Sequence, residues 1–183
     1  IMGGGPPRDG IPSIDNPKFI AADAASHLKP TDRVLGVNIG GIAKAYPINI
    51  LNWHEIVNDR IAEQEFAVTF CPLCGSGIAF SAIADGRKLD FGVSGLLYNS
   101  DVLLYDRATE SLWSQIMGQA ISGTLARTRL TSIPLAHTTW QEWRQTHPET
   151  LVLSQDTGFR RNYQRDPYAG YEKSRSIYFS TTN

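Results

Sequence analysis

Cys71 and Cys74 sit three apart in Phe70-Cys71-Pro72-Leu73-Cys74-Gly75-Ser76-Gly77, and they are the only cysteines in a chain of 183 residues. Two thiolates at this spacing can ligate one soft metal ion, or they can exchange between dithiol and disulfide. The disulfide of so short a loop gains little chain entropy, so stability alone is a weak reason for the pair. Two small buried hydrophobes would be the plainest use of them.

Flanking residues bear on the choice. Phe66-Ala67-Val68-Thr69-Phe70 reads as a buried strand before the pair, and Gly75 and Gly77 ahead of Ile78-Ala79-Phe80 read as a strand after it. A thioredoxin-like site instead opens a long helix with its first cysteine, whose thiol the dipole acidifies. A strand-turn-strand Cys-Pro-x-Cys-Gly resembles one knuckle of a rubredoxin or zinc ribbon. Those proteins need two knuckles, so a closed four-cysteine site is excluded here.

Any metal must recruit other ligands, and the histidine pool is His27, His54, His137 and His147. His54 is the best placed. Ile50, His54 and Val57 fall at i, i+4 and i+7 on a helix opened by Pro47, so His54 shares its apolar face. It is then either a satisfied core histidine or an inward-facing partner of the cysteines. Cys71, Cys74 and His54 form the expected set for Cu or Zn, whose preferred ligands are thiolate and imidazole. In a thiol–disulfide oxidoreductase the same three would act, with Cys71 attacking and His54 lowering its pKa. His27 beside a turn reads as surface, and His147 at a helix C-terminus as a complement to the dipole.

Other constellations are weaker. Ser94, Asn99, Tyr105 and Trp113 could line a pocket for a polar ligand in a non-catalytic binding module, against loop polarity beside core aromatics. Asp101 and Asp106 are an odd number apart, so an unbroken strand points them to opposite faces, which argues against paired-carboxylate chemistry. Gly92-Val93-Ser94-Gly95 is one residue short of a nucleophile elbow, and no nucleotide-binding glycine loop occurs. Seventeen Lys+Arg against eighteen Asp+Glu leave a net charge of -1. Nucleic-acid binding is not implied, and the C-terminal basic and aromatic residues are diluted by Asp156, Asp166 and Glu172. No apolar run reaches the roughly 20 residues needed to span a bilayer. The partner expected is a metal ion or a thiol.

The elements that must position these residues are mostly strands. Residues 1–8 read as a flexible Gly/Pro-rich leader and 9–183 as a single domain. The end in a strand-like run at Ser176-Ile177-Tyr178-Phe179-Ser180, without a cap, is what a piece of a longer protein would show. Hairpins are expected at Gly40-Gly41, at Asp85-Gly86 between Ile78–Ile83 and Lys88–Val93, and around Arg107–Thr109. Three short helices are expected: Ala21 to Leu28, Pro47 to about Val57, and one with a Thr139/Glu142 capping box ending at His147. The fold class is mainly β (α+β), an antiparallel sheet or barrel-like sandwich with three short helices.

Longer stretches carry a resemblance. Asp9-Gly10-Ile11-Pro12, Ala45-Tyr46-Pro47, Trp53-His54-Glu55-Ile56-Val57-Asn58-Asp59, Phe70-Cys71-Pro72-Leu73-Cys74-Gly75, Ser94-Gly95-Leu96-Leu97-Tyr98-Asn99-Ser100 and Ser111-Leu112-Trp113-Ser114-Gln115 occur in order. Together they resemble the prokaryotic family catalogued as domain of unknown function 3179, from Asp9 to about Tyr171. The resemblance implies no activity. It does imply a periplasmic or extracellular setting, since members often carry export signals or lipid anchors; a cytoplasmic setting also fits the sequence. It groups His54 and both cysteines within its signature segments.

Overall fold

The computed structural model describes residues 1–174; the strand-like run at 176–180 lies outside them. Three larger sheets carry the fold. The first runs in the order Met2–Gly3, Phe91–Tyr98, Asp101–Asp106, Leu112–Ser114, Gln119–Ser122. In the second the order is Ser132–Ile133, Ser76–Ser81, Gln64–Cys71, Ile56–Ile61. The third comprises Ala136–Thr139, Arg33–Ile39, Ile42–Pro47, Leu151–Leu153 and Phe19–Ala21, with one parallel pairing, between Leu151–Leu153 and Ile42–Pro47.

The second sheet is covered on both faces, which is why Phe66-Ala67-Val68-Thr69-Phe70-Cys71 is buried without a break. Alternation divides it. Phe66, Val68 and Phe70 pack with Leu35, Val37 and Tyr46 of the third sheet, while Ala67 and Cys71 pack with Phe91, Leu104 and Trp113 of the first. Cys71 is therefore aimed at the first sheet by the parity of its strand.

Two α-helices are present among the described residues. Helix α1 (Ile48–His54) follows Pro47, and helix α2 (Trp140–Thr146) begins with the Thr139/Glu142 capping box that the sequence announces. Helix α1 ends at His54 rather than near Val57. Glu55 takes a left-handed backbone (φ 60°) and its N–H closes on the Leu51 carbonyl at 2.7 Å, so Ile56 can start a strand.

The expectation of three helices in a barrel or sandwich is overturned. Residues 21–28 hold only a 3₁₀ turn, Ala22–Ala24, followed by another i→i+3 bond from Leu28 to Ala25. The buried residues there, Ala22, Ala25 and Leu28, repeat every three residues, which suits 3₁₀ turns and not an α-helix. No sheet closes into a barrel, because each ends in two different edge strands, and three sheets share the core where a sandwich has two.

The Gly40-Gly41 hairpin is present, with Ile39 opposite Ile42, as is the pairing of Tyr105 with Leu112 across residues 107–109. At Asp85-Gly86 the ribbon is only two pairs long, Ile83–Ala84 with Arg87–Lys88. The longer runs on either side join different sheets, so this turn links sheets and does not extend one. Residues 1–8, read as a leader, contribute Met2–Gly3 as an edge strand against Leu96 and Leu97.

Candidate functional site

The strand Gln64–Cys71 runs through a four-residue loop, Pro72 to Gly75, into Ser76–Ser81. Cys74 N–H bonds to the Cys71 carbonyl at 3.2 Å, and Gly75 takes φ 62°, a turn conformation that favours glycine. The knuckle is braced from the first sheet. Ser76 Oγ donates to Gln115 Oε1 at 3.1 Å, and Gln115 Nε2 donates to Ser76 O at 3.1 Å and Thr69 Oγ1 at 3.2 Å.

Both cysteines are free, and their sulfurs are 2.7 Å apart. Cys71 is buried and Cys74 exposed. The Cys71 thiol donates to Cys74, which raises the Cys71 pKa; burial raises it further, while the backbone N–H groups of Val102 and Cys74 work the other way. The same hydrogen bond lowers the Cys74 pKa. The acidified, accessible thiol is thus Cys74, whereas the sequence pointed to Cys71 as the attacking group. The hydrogen bond between the sulfurs fixes both directions, and the hydration that a buried thiolate loses adds to the rise at Cys71.

Asp101, at the start of Asp101–Asp106, completes a group with the two sulfurs in which all ligand atoms lie within 4.8 Å of one another. Asn99 and Ser100 both have positive φ (49° and 62°), a tight turn that brings Asp101 back toward the knuckle, and Cys74 Sγ lies 3.5 Å from the Ser100 carbonyl. Asp101 Oδ2 accepts from Ser114 Oγ at 2.9 Å and Ile116 N–H at 3.1 Å. Its Oδ1 is buried and has no hydrogen-bond partner among the described residues. Burial raises the Asp101 pKa against those bonds.

A cavity of about 170 Å³ opens beside Cys71, walled by apolar residues that include Ile11, Val93, Leu96 and Val102. Glu55 and Tyr168 also line it. Glu55 is 5% exposed; its Oε1 lies 3.5 Å from the Tyr168 hydroxyl, and its Oε2 has no partner among the described residues. Burial pushes its pKa up to about 7. Sequence reasoning quoted Glu55 within a signature segment but gave it no role. The signal available was an acid placed between the buried helix residues Ile50 and Leu51 and the buried pair Ile56-Val57.

His54 is fully buried, as its helical face implies, but it is not among the residues gathered around the sulfurs. Its Nδ1 lies 2.8 Å from the Pro12 carbonyl and its Nε2 2.7 Å from the Tyr163 hydroxyl, so both nitrogens are engaged within the core. Burial lowers its pKa, which keeps the ring neutral near pH 7. His137 is paired with Arg33, and His147 packs on the Trp143 ring.

The polar pocket expected of Ser94, Asn99, Tyr105 and Trp113 is not where the cavity lies. Ser94 Oγ donates to the Leu103 carbonyl and accepts from Leu96 N–H, holding the irregular stretch of Phe91–Tyr98. Trp113 is fully buried and donates to Asp106 Oδ2 at 2.9 Å. Tyr105 donates to Asp9, and Asn99 forms the turn before Asp101.

The Cys71, Cys74 and Asp101 cluster has the donor atoms to chelate a soft ion such as Cu or Zn, or to engage a thiol partner. No helix among the described residues is long and apolar enough to cross a membrane. No curated protein and no solved structure matches the chain significantly. A family model described as "Protein of unknown function (DUF3179)" matches residues 8–183, and the chain belongs to that family.

Proposed function

We propose that the knuckle binds one Zn(II), held by Cys71, Cys74 and Asp101, with its fourth position open to a small ligand. The observation that carries this is the buried Asp101 oxygen with no partner, set within reach of two free thiols. A buried carboxylate oxygen left unsatisfied is costly, and a cation completes it. The carboxylate also weighs between the soft ions, since Zn(II) accepts Asp oxygen readily while Cu(I) favours sulfur. The N–H groups of Val102 and Cys74 offset part of the rise in the Cys71 pKa, and a bound cation would hold that sulfur as the thiolate. In the extracytoplasmic setting we infer, the bound metal would also protect the pair from oxidation.

The test is a zinc titration of reduced, anaerobic protein against a chromophoric chelator. One ion per chain is expected. Cys71→Ser or Cys74→Ser should abolish tight binding, and Asp101→Asn should weaken it by about tenfold or more. His54→Ala should change affinity little once folding is verified. Wild-type affinity in Asp101→Asn would remove Asp101 from the site.

The asymmetry of the thiols favours a second reading, thiol–disulfide exchange. The Cys74 thiolate would attack a partner disulfide and expel one thiolate. Cys71, on losing its proton, would then attack Cys74 sulfur, closing the intramolecular disulfide and releasing the second thiolate. The substrate gains two electrons and the pair loses two. Reduction of a model disulfide by metal-free protein, with no zinc uptake, would establish this reading over the first.

A further inference from the structure

We propose that the cavity beside Cys71 is a binding site for a small primary amine with an aromatic or branched aliphatic body, its ammonium seated on Glu55. Three observations meet there. About 170 Å³ of largely apolar space is available, and a dry cavity of about 150 Å³ admits benzene. The body of the ligand is thereby limited to about six to ten heavy atoms.

Glu55 supplies the polar end. It is nine-tenths buried, it lines the cavity, and Oε2 is without a partner while Oε1 faces the Tyr168 hydroxyl. Native proteins rarely leave a buried carboxylate oxygen unsatisfied, so a donor belongs there.

Charge then selects among donors. No Lys, Arg or His lines the cavity among the described residues. An ammonium is favoured over a hydroxyl in such surroundings, because a charge-assisted hydrogen bond is roughly twice as strong as a neutral one.

The site is also built, not a gap between loose segments. Gly4 and Pro6 line it, and Gly4 N–H bonds to the Gly95 carbonyl at 2.7 Å. Gly95 has φ +76°, and a Cβ there would collide with the Pro6 carbonyl. Glycine at this position lets the first residues lie over the cavity.

The test uses reduced, metal-free protein in chelator, so that it does not depend on the zinc reading. Benzylamine, benzyl alcohol and toluene are titrated while the amide signals of Glu55, Leu96 and Tyr168 are followed by NMR. Benzylamine should bind with a dissociation constant on the order of 0.1–1 mM, and about tenfold more tightly than the other two. Glu55→Gln should remove that tenfold preference and leave toluene unchanged. Leu96→Trp, which fills the cavity from its wall, should weaken all three probes. Equal binding of the probes, unchanged benzylamine affinity in Glu55→Gln, or no binding at millimolar concentration would each overturn the proposal.

Discussion

Replacing Glu55 by Gln should stabilise the protein, and the gain should depend on pH in a way that identifies its cause. Burial lifts the carboxyl from an ordinary 4.5 to about 7. The folded state therefore holds the proton over a range in which the unfolded chain has lost it. Below about pH 4.5 the acid is neutral in both states and costs nothing relative to Gln. As pH rises toward 7 the wild type loses stability, because the unfolded state binds fewer protons. Above 7 the acid is ionised in both states and the full burial cost remains. At about 1.4 kcal/mol per pH unit, the difference between wild type and variant should grow from near zero to roughly 3 kcal/mol. The side chain is 5% exposed, so solvent screening removes little of this. Backbone strain drops out, since Glu and Gln both carry a Cβ at the left-handed position. Urea unfolding of metal-free, reduced protein at a series of pH values reads the effect directly. With a slope of about 2 kcal/mol/M, the midpoints should coincide near pH 4.5 and separate by about 1.5 M near pH 8. A separation that does not change with pH would show that Glu55 is not buried as an acid, and the reasoning would fail.

Three other outcomes follow from the same contacts. Brief alkylation of the reduced protein should label Cys74 well ahead of Cys71, as read by peptide mass mapping, and equal labelling would contradict the thiol asymmetry. Lys44→Met should cost about 3–5 kcal/mol in urea unfolding, because it strands the Asp59 carboxylate, only 6% exposed and bonded to Lys44 Nζ at 2.9 Å. Replacing Lys44 and Asp59 together by apolar residues should recover most of that loss. Gly95→Ala should raise amide exchange at Met2 and Gly4, whose segment its Cβ would displace, with little change in the core of the second sheet.

What the sequence made legible was local. The Thr139/Glu142 box, the Gly40-Gly41 turn and the Cys-x-x-Cys knuckle depend on residues within a few positions of one another, and each is where its pattern indicates. His54 was correctly placed in the interior by helical spacing, yet its partners, Pro12 and Tyr163, lie 42 and 109 residues away. Spacing can report that a ring is buried but not what satisfies it. Asp101 was missed for the same reason. Its role comes from a turn with two positive-φ residues and from the pairing of separate sheets, neither of which leaves a periodic trace. The segment at residues 21–28 failed differently. Its alanines favour an α-helix, but burial at every third residue imposed 3₁₀ turns.

Two buried carboxylate oxygens without partners, on Glu55 and Asp101, lie on the two sides of Cys71, one in its cavity and one in its cluster. Elsewhere the fold satisfies its buried acids: Asp59 has Lys44 and Tyr46, and Asp106 has Trp113 and Thr109. Among the described residues Asn49 Oδ1, His27 Nε2 and Gln155 Nε2 are the other buried side-chain atoms without a partner, and none of them belongs to an acid. Two carboxyl groups and two thiols thus gather here, while no Lys, Arg or His lines the cavity among the described residues. Glu55 at φ 60° ends its helix, and the turn at Asn99 and Ser100 precedes Asp101, so both carboxyl groups sit at sharp changes of chain direction. On the two readings proposed above, a cation from outside the chain would complete the site, a metal ion at the sulfurs or an ammonium in the cavity. Each cation would weaken the other's attraction, so the two occupants should compete electrostatically, by the same factor in both directions.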